Sequence, residues 1–274
     1  MPKKYQNGPF EHVSWPAEKK EAIEVFEQWH DFLANKCRFS SSEEAQKAFA
    51  DVKAQLQNND DQDLIPSVLL TQVRKAIATH DLPSEWLFGQ LDVAHHFYGP
   101  VQIKDAKELK SFITRWEAPH AYLSAKLADA AYTWQRKLID ELTMGFFVVD
   151  MLLRLPEYLE KGRVFVPLSE LEHANVSVQQ LKQGERTDAV QRLLWKQTIR
   201  ARDAFAQGQP LVRELERKYR GTVKKNWLTA LEYINEIEKR KYDVWSIPIE
   251  LSTKQRFQIF VLSVIGRGAS KARG

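Results

Sequence analysis

Helical periodicity runs through almost the whole chain, and it constrains the fold more than any other feature of the sequence. Apolar residues recur every three or four positions, as they do on one face of an α-helix. One clear example comprises Ala22, Ile23, Val25, Phe26, Trp29, Phe32 and Leu33. No strand pattern, repeat or linker rich in Gly, Ser or Pro interrupts the 274 residues. We therefore predict a single all-α domain over residues 1–274, with an extended N-terminal segment over 1–16 and a basic tail over 267–274.

Local signals predict where several helices begin and end. Residues suited to N-caps precede three of the predicted helices: Ser42, Asp105 and Ser252. Continuous helices are predicted over about 119–145 and about 187–219. A further helix should begin at Phe146 and be kinked or ended by Pro156, because proline lacks a backbone donor and clashes with the preceding turn.

Composition excludes several classes of protein. The net charge of +4 is far from the dense basic surface of a nucleic-acid binder, so no nucleic-acid partner is predicted. The single cysteine, Cys37, cannot form an internal disulfide and fits a reducing compartment. Neither a signal-peptide pattern nor a run of about 20 apolar residues is present. These features predict a cytoplasmic protein.

The C-terminal region supports two interpretations. Residues 257–265 are strongly apolar, and three basic residues follow them: Arg267, Lys271 and Arg273. The preferred interpretation is a last core helix followed by a solvated basic tail. The alternative is a helix that lies on a membrane surface, which keeps peripheral membrane contact open.

The most specific stretch is Lys161-Gly162-Arg163-Val164-Phe165-Val166-Pro167-Leu168, which follows a long apolar helix. It resembles the second signature region of the squalene/phytoene synthase family, the head-to-head prenyl diphosphate synthases. Weaker matches follow the family's order: Tyr5-Gln6-Asn7 with Trp15-Pro16, Trp29, Leu82-Pro83, and Tyr242-Asp243-Val244 with Leu251-Ser252. The first of these is similar to the opening of the bacterial hydroxysqualene-forming branch. The resemblance implies an isoprenoid synthase bundle of helices around a central cavity.

The resemblance also implies where magnesium ligands would lie, and other residues stand at those positions. The family's first motif, D-D-x-x-D, falls on Ala34 to Arg38, and its second, D-x-x-x-D, falls on Arg154 and Tyr158. Magnesium prefers hard oxygen ligands such as carboxylates. We therefore predict neither a metal site nor a cofactor nor catalytic residues of the family's kind.

Nearby acidic residues keep an enzymatic alternative open. Asp31, Asp150 and Glu157 lie beside the displaced positions and would serve as shifted catalytic ligands for Mg²⁺. In that case the protein is an active head-to-head prenyltransferase or hydroxysqualene-forming enzyme that acts on farnesyl or geranylgeranyl diphosphate. A further form of this alternative places the competent motifs on a partner subunit.

Basic residues at the same positions predict a metal-free anion site. The candidate ligand-binding residues are Lys36, Arg38, Arg154, Tyr158, Lys161 and Arg163. Arginine suits bidentate contact with phosphate oxygens, so the expected ligand is an isoprenoid diphosphate or an acidic lipid. Aromatic rings would line the cavity around its chain, or simply fill the cavity. The competing interpretation is ordinary surface charge, with Arg154 paired to Glu157 or Asp150.

Together these features predict a squalene/phytoene synthase-like protein that has lost catalysis. Its role would be to bind an isoprenoid or another lipid, or to act as an assembly partner of another protein. Some members of the family act in the assembly of respiratory complexes, but a shared fold alone does not establish the role.

Overall fold

The computed structural model describes residues 8–58, 60, 62–130 and 135–265, and over these the chain is a single all-α domain, as predicted. Its α-helices are α1 (Ala17–Asp31), α2 (Ser42–Asn58), α3 (Ser67–His80), α4 (Glu85–Val93), α5 (Ala106–Trp116), α6 (Ala118–Leu127), α7 (Arg136–Leu153), α8 (Leu155–Glu160), α9 (Leu168–His173), α10 (Val178–Lys182), α11 (Asp188–Gly208), α12 (Pro210–Glu214), α13 (Arg217–Lys239) and α14 (Thr253–Ile265). A π-helical turn (Phe32–Lys36) extends α1, and a 3₁₀ helix (Ala94–Tyr98) extends α4. The predicted basic tail and the first seven residues of the predicted N-terminal segment lie outside the described residues.

The centre of the bundle is the contact between α7 and α11, which two glycines allow to be very close. A Cβ atom on Gly145 would lie 2.6 Å from Cε1 of Phe205. A Cβ atom on Gly208 would lie 2.6 Å from Cγ of Leu142. The rings of Phe146 and Phe205 meet edge to face, with their centroids 5.2 Å apart. Side chains therefore fill the space between these two helices.

A second aromatic group fills the space between α5, α7 and the segment after α8. The rings of Phe112, Phe147 and Phe165 all contact one another, with centroids 5.3 to 5.9 Å apart. Tyr158 packs edge to face on Phe165 at 5.0 Å. The sequence left open whether aromatic rings line the cavity or fill it. The rings of Phe112, Phe147 and Phe165 fill space.

A two-residue parallel pairing, which the sequence did not predict, joins distant parts of the chain. Strand β1 (Val101–Gln102) pairs with β2 (Arg163–Val164). Gly162, which has a φ of +72°, accepts a hydrogen bond from the Val101 amide at 3.0 Å. A positive φ of this size favours glycine. The pairing fixes the backbone of Arg163 beside the segment that follows the 3₁₀ helix.

Several predicted helix boundaries need correction. The segment predicted as one helix over 119–145 is divided, because α6 ends at Leu127 and α7 begins at Arg136. The segment over 187–219 breaks at Pro210, since proline cannot continue the hydrogen-bonding ladder of α11. The predicted effect of Pro156 is confirmed: α7 ends at Leu153, and Pro156 lies in the first turn of α8.

Two of the three predicted N-caps are confirmed. Asp105 accepts a hydrogen bond from the Glu108 amide at 2.9 Å, and Ser252 accepts one from the Gln255 amide at 3.3 Å. At the start of α2 the capping hydroxyl belongs to Ser41, which accepts a hydrogen bond from the Glu44 amide. Ser42 instead donates to the carbonyl oxygen of His95.

The C-terminal helix α14 is not the core helix that the sequence favoured. Four of its large apolar side chains are more than half exposed: Phe257, Phe260, Leu262 and Val264. Ile259 is buried, at 6% exposure. The apolar run therefore forms a partly solvent-facing helix that packs on α13. Among the described residues, no helix combines the length and apolar character required to span a bilayer.

Candidate functional site

A cavity of about 600 Å³ lies between the end of α1, the α5–α6 junction, α7 and α8. Four of the six predicted ligand-binding residues line it: Arg154, Tyr158, Lys161 and Arg163. Asp31 and Glu157, two of the alternative catalytic residues, line the same cavity. The structure thus brings together residues from the regions where the resemblance implied the two metal motifs.

The other two predicted ligand-binding residues lie outside the lining of this cavity. Nζ of Lys36 is 3.5 Å from Oδ2 of Asp31, and the Lys36 side chain is 63% exposed. Arg38 is exposed. The reason is local: the π-helical turn ends at Lys36, and the backbone is extended from Cys37. Of the three basic residues predicted to surround one anion, Arg154 therefore lines the cavity, whereas Lys36 and Arg38 do not.

Arg154 is the centre of a charge network at the α7–α8 break. Its Nε and Nη2 donate to the two carboxylate oxygens of Glu157, each at 2.9 Å. Its Nη1 lies 3.5 Å from Oδ2 of Asp150, a residue that is 1% exposed. The Tyr158 hydroxyl donates to the same Asp150 oxygen at 2.6 Å, and Lys161 donates to Glu157 at 2.8 Å. The carboxylates beside the second motif therefore already hold protein cations.

This network controls the protonation of its members. The hydrogen bonds from Arg154 lower the pKa of Glu157 to about 2, and Lys161 acts in the same direction. Burial, together with the charge of Asp150, raises the pKa of Tyr158. At neutral pH the network thus consists of ionised Arg154 and Glu157 beside a neutral phenol.

Arg163 contributes the remaining cation of this side of the cavity. Its Nη2 donates to the carbonyl oxygen of Phe97 at 2.9 Å, and its guanidinium carbon lies 5.0 Å from the centroid of the Phe97 ring. Burial is the main effect on Arg163 and lowers its pKa. No ion pair of Arg163 with a carboxylate occurs within the part of the chain that the structure describes.

A second wall of the cavity, formed by α1 and the start of α6, carries three titratable residues that burial keeps uncharged at neutral pH: His30, Glu117 and His120. Burial lowers the pKa of His30 to about 3 and that of His120 to about 4. Burial, with a further contribution from the charge of Asp150, raises the pKa of Glu117 to about 8. The imidazoles are therefore neutral and the Glu117 carboxyl is protonated near pH 7.

A buried hydrogen-bond chain positions this wall. The Trp29 indole donates to Oε1 of Gln90 at 3.0 Å, and Nε2 of Gln90 donates to the carbonyl oxygen of Trp116 at 3.1 Å. The Trp116 ring lies 4.2 Å from the His30 ring. Residues from α1 and α4 thereby hold the α5–α6 junction, where Glu117 lies.

Sequence reasoning missed Glu117 and His120, and left His30 without a role. The usable signal was a glutamate and a histidine three positions apart at the start of the largely apolar helix α6. Residues with this spacing share one face of a helix. Their burial depends on α1 and α7, which the local sequence does not reveal.

The residues present do not fit a magnesium cluster. No group of three His, Cys, Asp or Glu side chains is placed to hold an ion, within the residues that the structure describes. Asp31 accepts a hydrogen bond from the side-chain amide of Asn35 at 2.9 Å and pairs with Lys36. Asp150 and Glu157 pair with Arg154 instead. The alternative trio of Asp31, Asp150 and Glu157 therefore forms no shared site in this conformation.

The sequence matches the family model for squalene/phytoene synthase over residues 13–258. The chain belongs to the squalene/phytoene synthase family. Two cyanobacterial relatives are named 15-cis-phytoene synthase. That of Synechocystis sp. is 31% identical over 121 residues, which are 43% of this chain and 35% of the relative. That of Synechococcus elongatus is 31% identical over 98 residues, or 36% of this chain and 32% of the relative. The matched segments thus span about a third of each relative's length.

Solved structures of the family share this fold. Squalene synthase HpnC from Alicyclobacillus acidocaldarius superposes with a TM-score of 0.70 at 16% identity, over 83% of this chain and 85% of that one. A dehydrosqualene synthase in complex with ligand superposes with a TM-score of 0.71 at 12% identity, over 91% and 87% of the two chains. These similarities confirm the predicted isoprenoid synthase fold.

Proposed function

We propose that this squalene/phytoene synthase family member binds an isoprenoid or related lipid in its cavity and does not condense it. The observation that carries the proposal is the pairing of Arg154 with Asp150 and Glu157. In magnesium-dependent phosphoryl chemistry the metal offsets charge on the phosphate oxygens. Here a protein cation occupies the carboxylates that would hold the metal. The cavity could still hold a prenyl chain, but these carboxylates would not be free to bind the metal that offsets the charge of a leaving diphosphate.

An anionic headgroup would meet the α7–α8 side of the cavity. Arg154, Lys161 and Arg163 supply the positive charge there. Glu157 already binds the first two of these cations, so a diphosphate or acidic lipid would have to compete with it. Arg163 is the cation best placed to make the first contact, since its guanidinium contacts the carbonyl oxygen and the aromatic ring of Phe97.

The second candidate function is active head-to-head prenyl transfer. One observation favours it: Asp31 and Glu157 line the same cavity. For both to bind Mg²⁺, Arg154 and Lys161 would have to release Glu157. A partner subunit that carries the competent motifs is the other form of this candidate.

Product analysis separates the two candidates. The purified full chain is incubated with farnesyl or geranylgeranyl diphosphate and Mg²⁺, beside an active phytoene synthase as the positive control. We expect neither a head-to-head product nor released diphosphate, and we expect mass spectrometry of the purified protein to detect a bound lipid. Turnover that Asp150→Ala abolishes would instead establish the enzymatic candidate.

We also propose that α14 contacts an anionic membrane surface. Its exposed apolar residues include Phe257, Phe260 and Val264, which recur at helical spacing. Its only charged residues, Lys254 and Arg256, are both basic. In the sequence, three further basic residues follow the helix, which favours a surface of anionic lipid.

Vesicle sedimentation tests this contact. We expect the chain to sediment with vesicles of phosphatidylserine and phosphatidylcholine, and less with phosphatidylcholine alone. The double variant Phe257→Ser/Phe260→Ser should lose this binding. Trp195→Ser is the matched control, because Trp195 is 51% exposed on α11 and its loss should have no effect. Equal sedimentation of all three proteins with the vesicles would contradict membrane contact through α14.

A further inference from the structure

Two buried polar atoms in the cavity wall lack a hydrogen-bond partner among the described residues. They are Oγ1 of Thr143, on α7, and Nε2 of His120, on α6. Both residues line the 600 Å³ cavity, and Thr143 is only 3% exposed. An unpaired buried polar group costs about 1–3 kcal/mol, so folded proteins usually satisfy such groups. The missing partner is expected to come from whatever occupies the cavity.

Thr143 and His120 lie away from the α7–α8 break, and the part of the cavity that they line is here called its inner end. Thr143, Phe147, Asp150 and Arg154 recur at intervals of three or four and therefore share one face of α7. The step from residue 143 to residue 154 is eleven positions, or about 16 Å along a helix axis. Thr143 therefore lies about three helical turns from Arg154 along α7.

The packing of α6 on α7 brings His120 to the level of Thr143. Near the start of α6, the charge of Asp150 acts on Glu117. Further along α6, the Tyr122 hydroxyl donates to Asp140, near the start of α7. The two helices therefore run antiparallel, and His120 faces the middle of α7. This arrangement groups the two unpaired atoms on facing helices.

The chemistry of this inner end suits an uncharged oxygen. The three cations of the cavity belong to the α7–α8 break and the segment after it, at residues 154, 161 and 163. The inner end offers a hydroxyl and a neutral imidazole, each of which can donate or accept one hydrogen bond. A hydroxyl or carbonyl group would satisfy them, whereas a diphosphate would bury its charge without a counterion.

We infer that this cavity binds an elongated apolar ligand with an uncharged hydroxyl or carbonyl oxygen, such as a prenyl alcohol, and holds that oxygen between Thr143 and His120. The inference rests on the proposed function, because it names the ligand class of the same cavity. Phe97, Trp116 and Ala121 also line the cavity and would provide apolar contacts for the body of the ligand.

Paired titrations test the inference. Farnesol and geranylgeraniol, and the diphosphate of each, are titrated by calorimetry into the full chain in the presence of EDTA. We expect each alcohol to bind in the absence of Mg²⁺, with its oxygen at Thr143 and His120. Thr143→Val removes one hydroxyl at constant shape, so it should weaken farnesol binding about fivefold to tenfold, as one hydrogen bond of ordinary strength predicts. Farnesyl diphosphate binding should not change.

Thr198→Val is the matched control. Thr198 is fully buried, donates to the carbonyl oxygen of Trp195 at 2.8 Å, and does not line the cavity. Its substitution should leave all four affinities unchanged. His120→Phe provides a second variant with the same expected loss for the alcohols.

The outcomes separate the inference from the function on which it rests. Binding of the diphosphates without binding of the alcohols, or full farnesol affinity in both Thr143→Val and His120→Phe, would overturn the inference and leave lipid binding in place. No binding of any of the four compounds would overturn the proposed function itself.

Discussion

The two walls of the cavity tolerate buried titratable groups in opposite ways. On the α7–α8 wall, Arg154 and Glu157 stay ionised because each holds the other's charge. On the α1–α6 wall, His30, Glu117 and His120 are uncharged near pH 7 because burial disfavours their ionised forms. On the α7–α8 wall, here called the paired wall, Arg154 pairs with the carboxylates that a metal would need. The α1–α6 wall is here called the neutral wall. The neutral wall leaves polar groups that suit an uncharged ligand.

Removing the arginine from the α7–α8 wall should have the largest effect on stability. Arg154→Ala removes a cation from beside Asp150, which is 1% exposed, and should lower the free energy of unfolding by about 3 kcal/mol. Denaturant unfolding near pH 7 measures the loss. Lys161→Ala is the control, because its 51%-exposed ammonium pairs with Glu157 at the surface and should contribute less than about 1 kcal/mol. Similar small losses for both variants would mean that no buried charge depends on Arg154.

The paired wall also predicts an acid-dependent stability. Because the folded-state pKa of Glu157 is depressed from 4.5 to about 2, its contribution is present above about pH 4.5 and is lost as the pH falls towards about 2. The Arg154→Ala variant should lack this part of the acid transition.

The centre of α7 differs from both cavity walls, because side chains fill the space between it and α11. Gly208→Ala would place a Cβ atom 2.6 Å from Cγ and 2.7 Å from the backbone nitrogen of Leu142. The overpacking should cost about 1–3 kcal/mol. Gly221→Ala, on α13 with nothing within 4 Å, should instead stabilise the helix by about 0.5–1 kcal/mol. Thermal unfolding of the two variants checks the opposite signs, and tolerance of Gly208→Ala would indicate unfilled space at this contact.

The neutral wall predicts a second acid effect. The folded-state pKa values of His30 and His120 are about 3 and about 4, below the ordinary 6.5, so the unfolded chain binds protons first. Stability should therefore fall as the pH decreases from about 6.5 to about 4. His30→Gln should reduce the stability lost over this pH range by an amount on the order of 1 kcal/mol. Unfolding midpoints across this range check it, and an unchanged slope in the variant would show that His30 titrates normally.

Glu117 should give a pH effect of the opposite sign. Its folded-state pKa of about 8 exceeds the ordinary 4.5, so stability falls as the pH rises between these values and is lowest above about 8. Glu117→Gln keeps the shape and cannot ionise. It should be the more stable protein at about pH 9 and equal to the wild type near pH 4, which unfolding midpoints at the two pH values check. Asp150, Glu11, Arg154 and Tyr158 act on the same carboxyl, so their substitution would move this window.

The sequence predicted the features whose cause is local. Helical periodicity and the caps at Asp105 and Ser252 depend on neighbours within one turn, and the structure agrees with both. The family's signature stretch led to the correct fold and to the pairing of Arg154 as one of two interpretations.

Features that depend on distant contacts were not predictable in this way. The β1–β2 pair has two residues in each strand, which is too short for any periodicity. The shifted pKa of Glu117 arises from burial by other elements, and the exposure of Phe257 depends on how α14 meets α13. An apolar run alone does not distinguish a buried helix from an exposed amphipathic one.

The most direct test of the account is the magnesium dependence of ligand binding. Farnesyl diphosphate and farnesol are each titrated into the full chain by calorimetry, once with Mg²⁺ and once with EDTA. Because Arg154 occupies the carboxylates beside the second motif, we predict that Mg²⁺ changes neither affinity by more than about twofold. Tightening of the diphosphate by about tenfold or more with Mg²⁺, lost in Asp31→Asn or Glu157→Gln, would contradict the account.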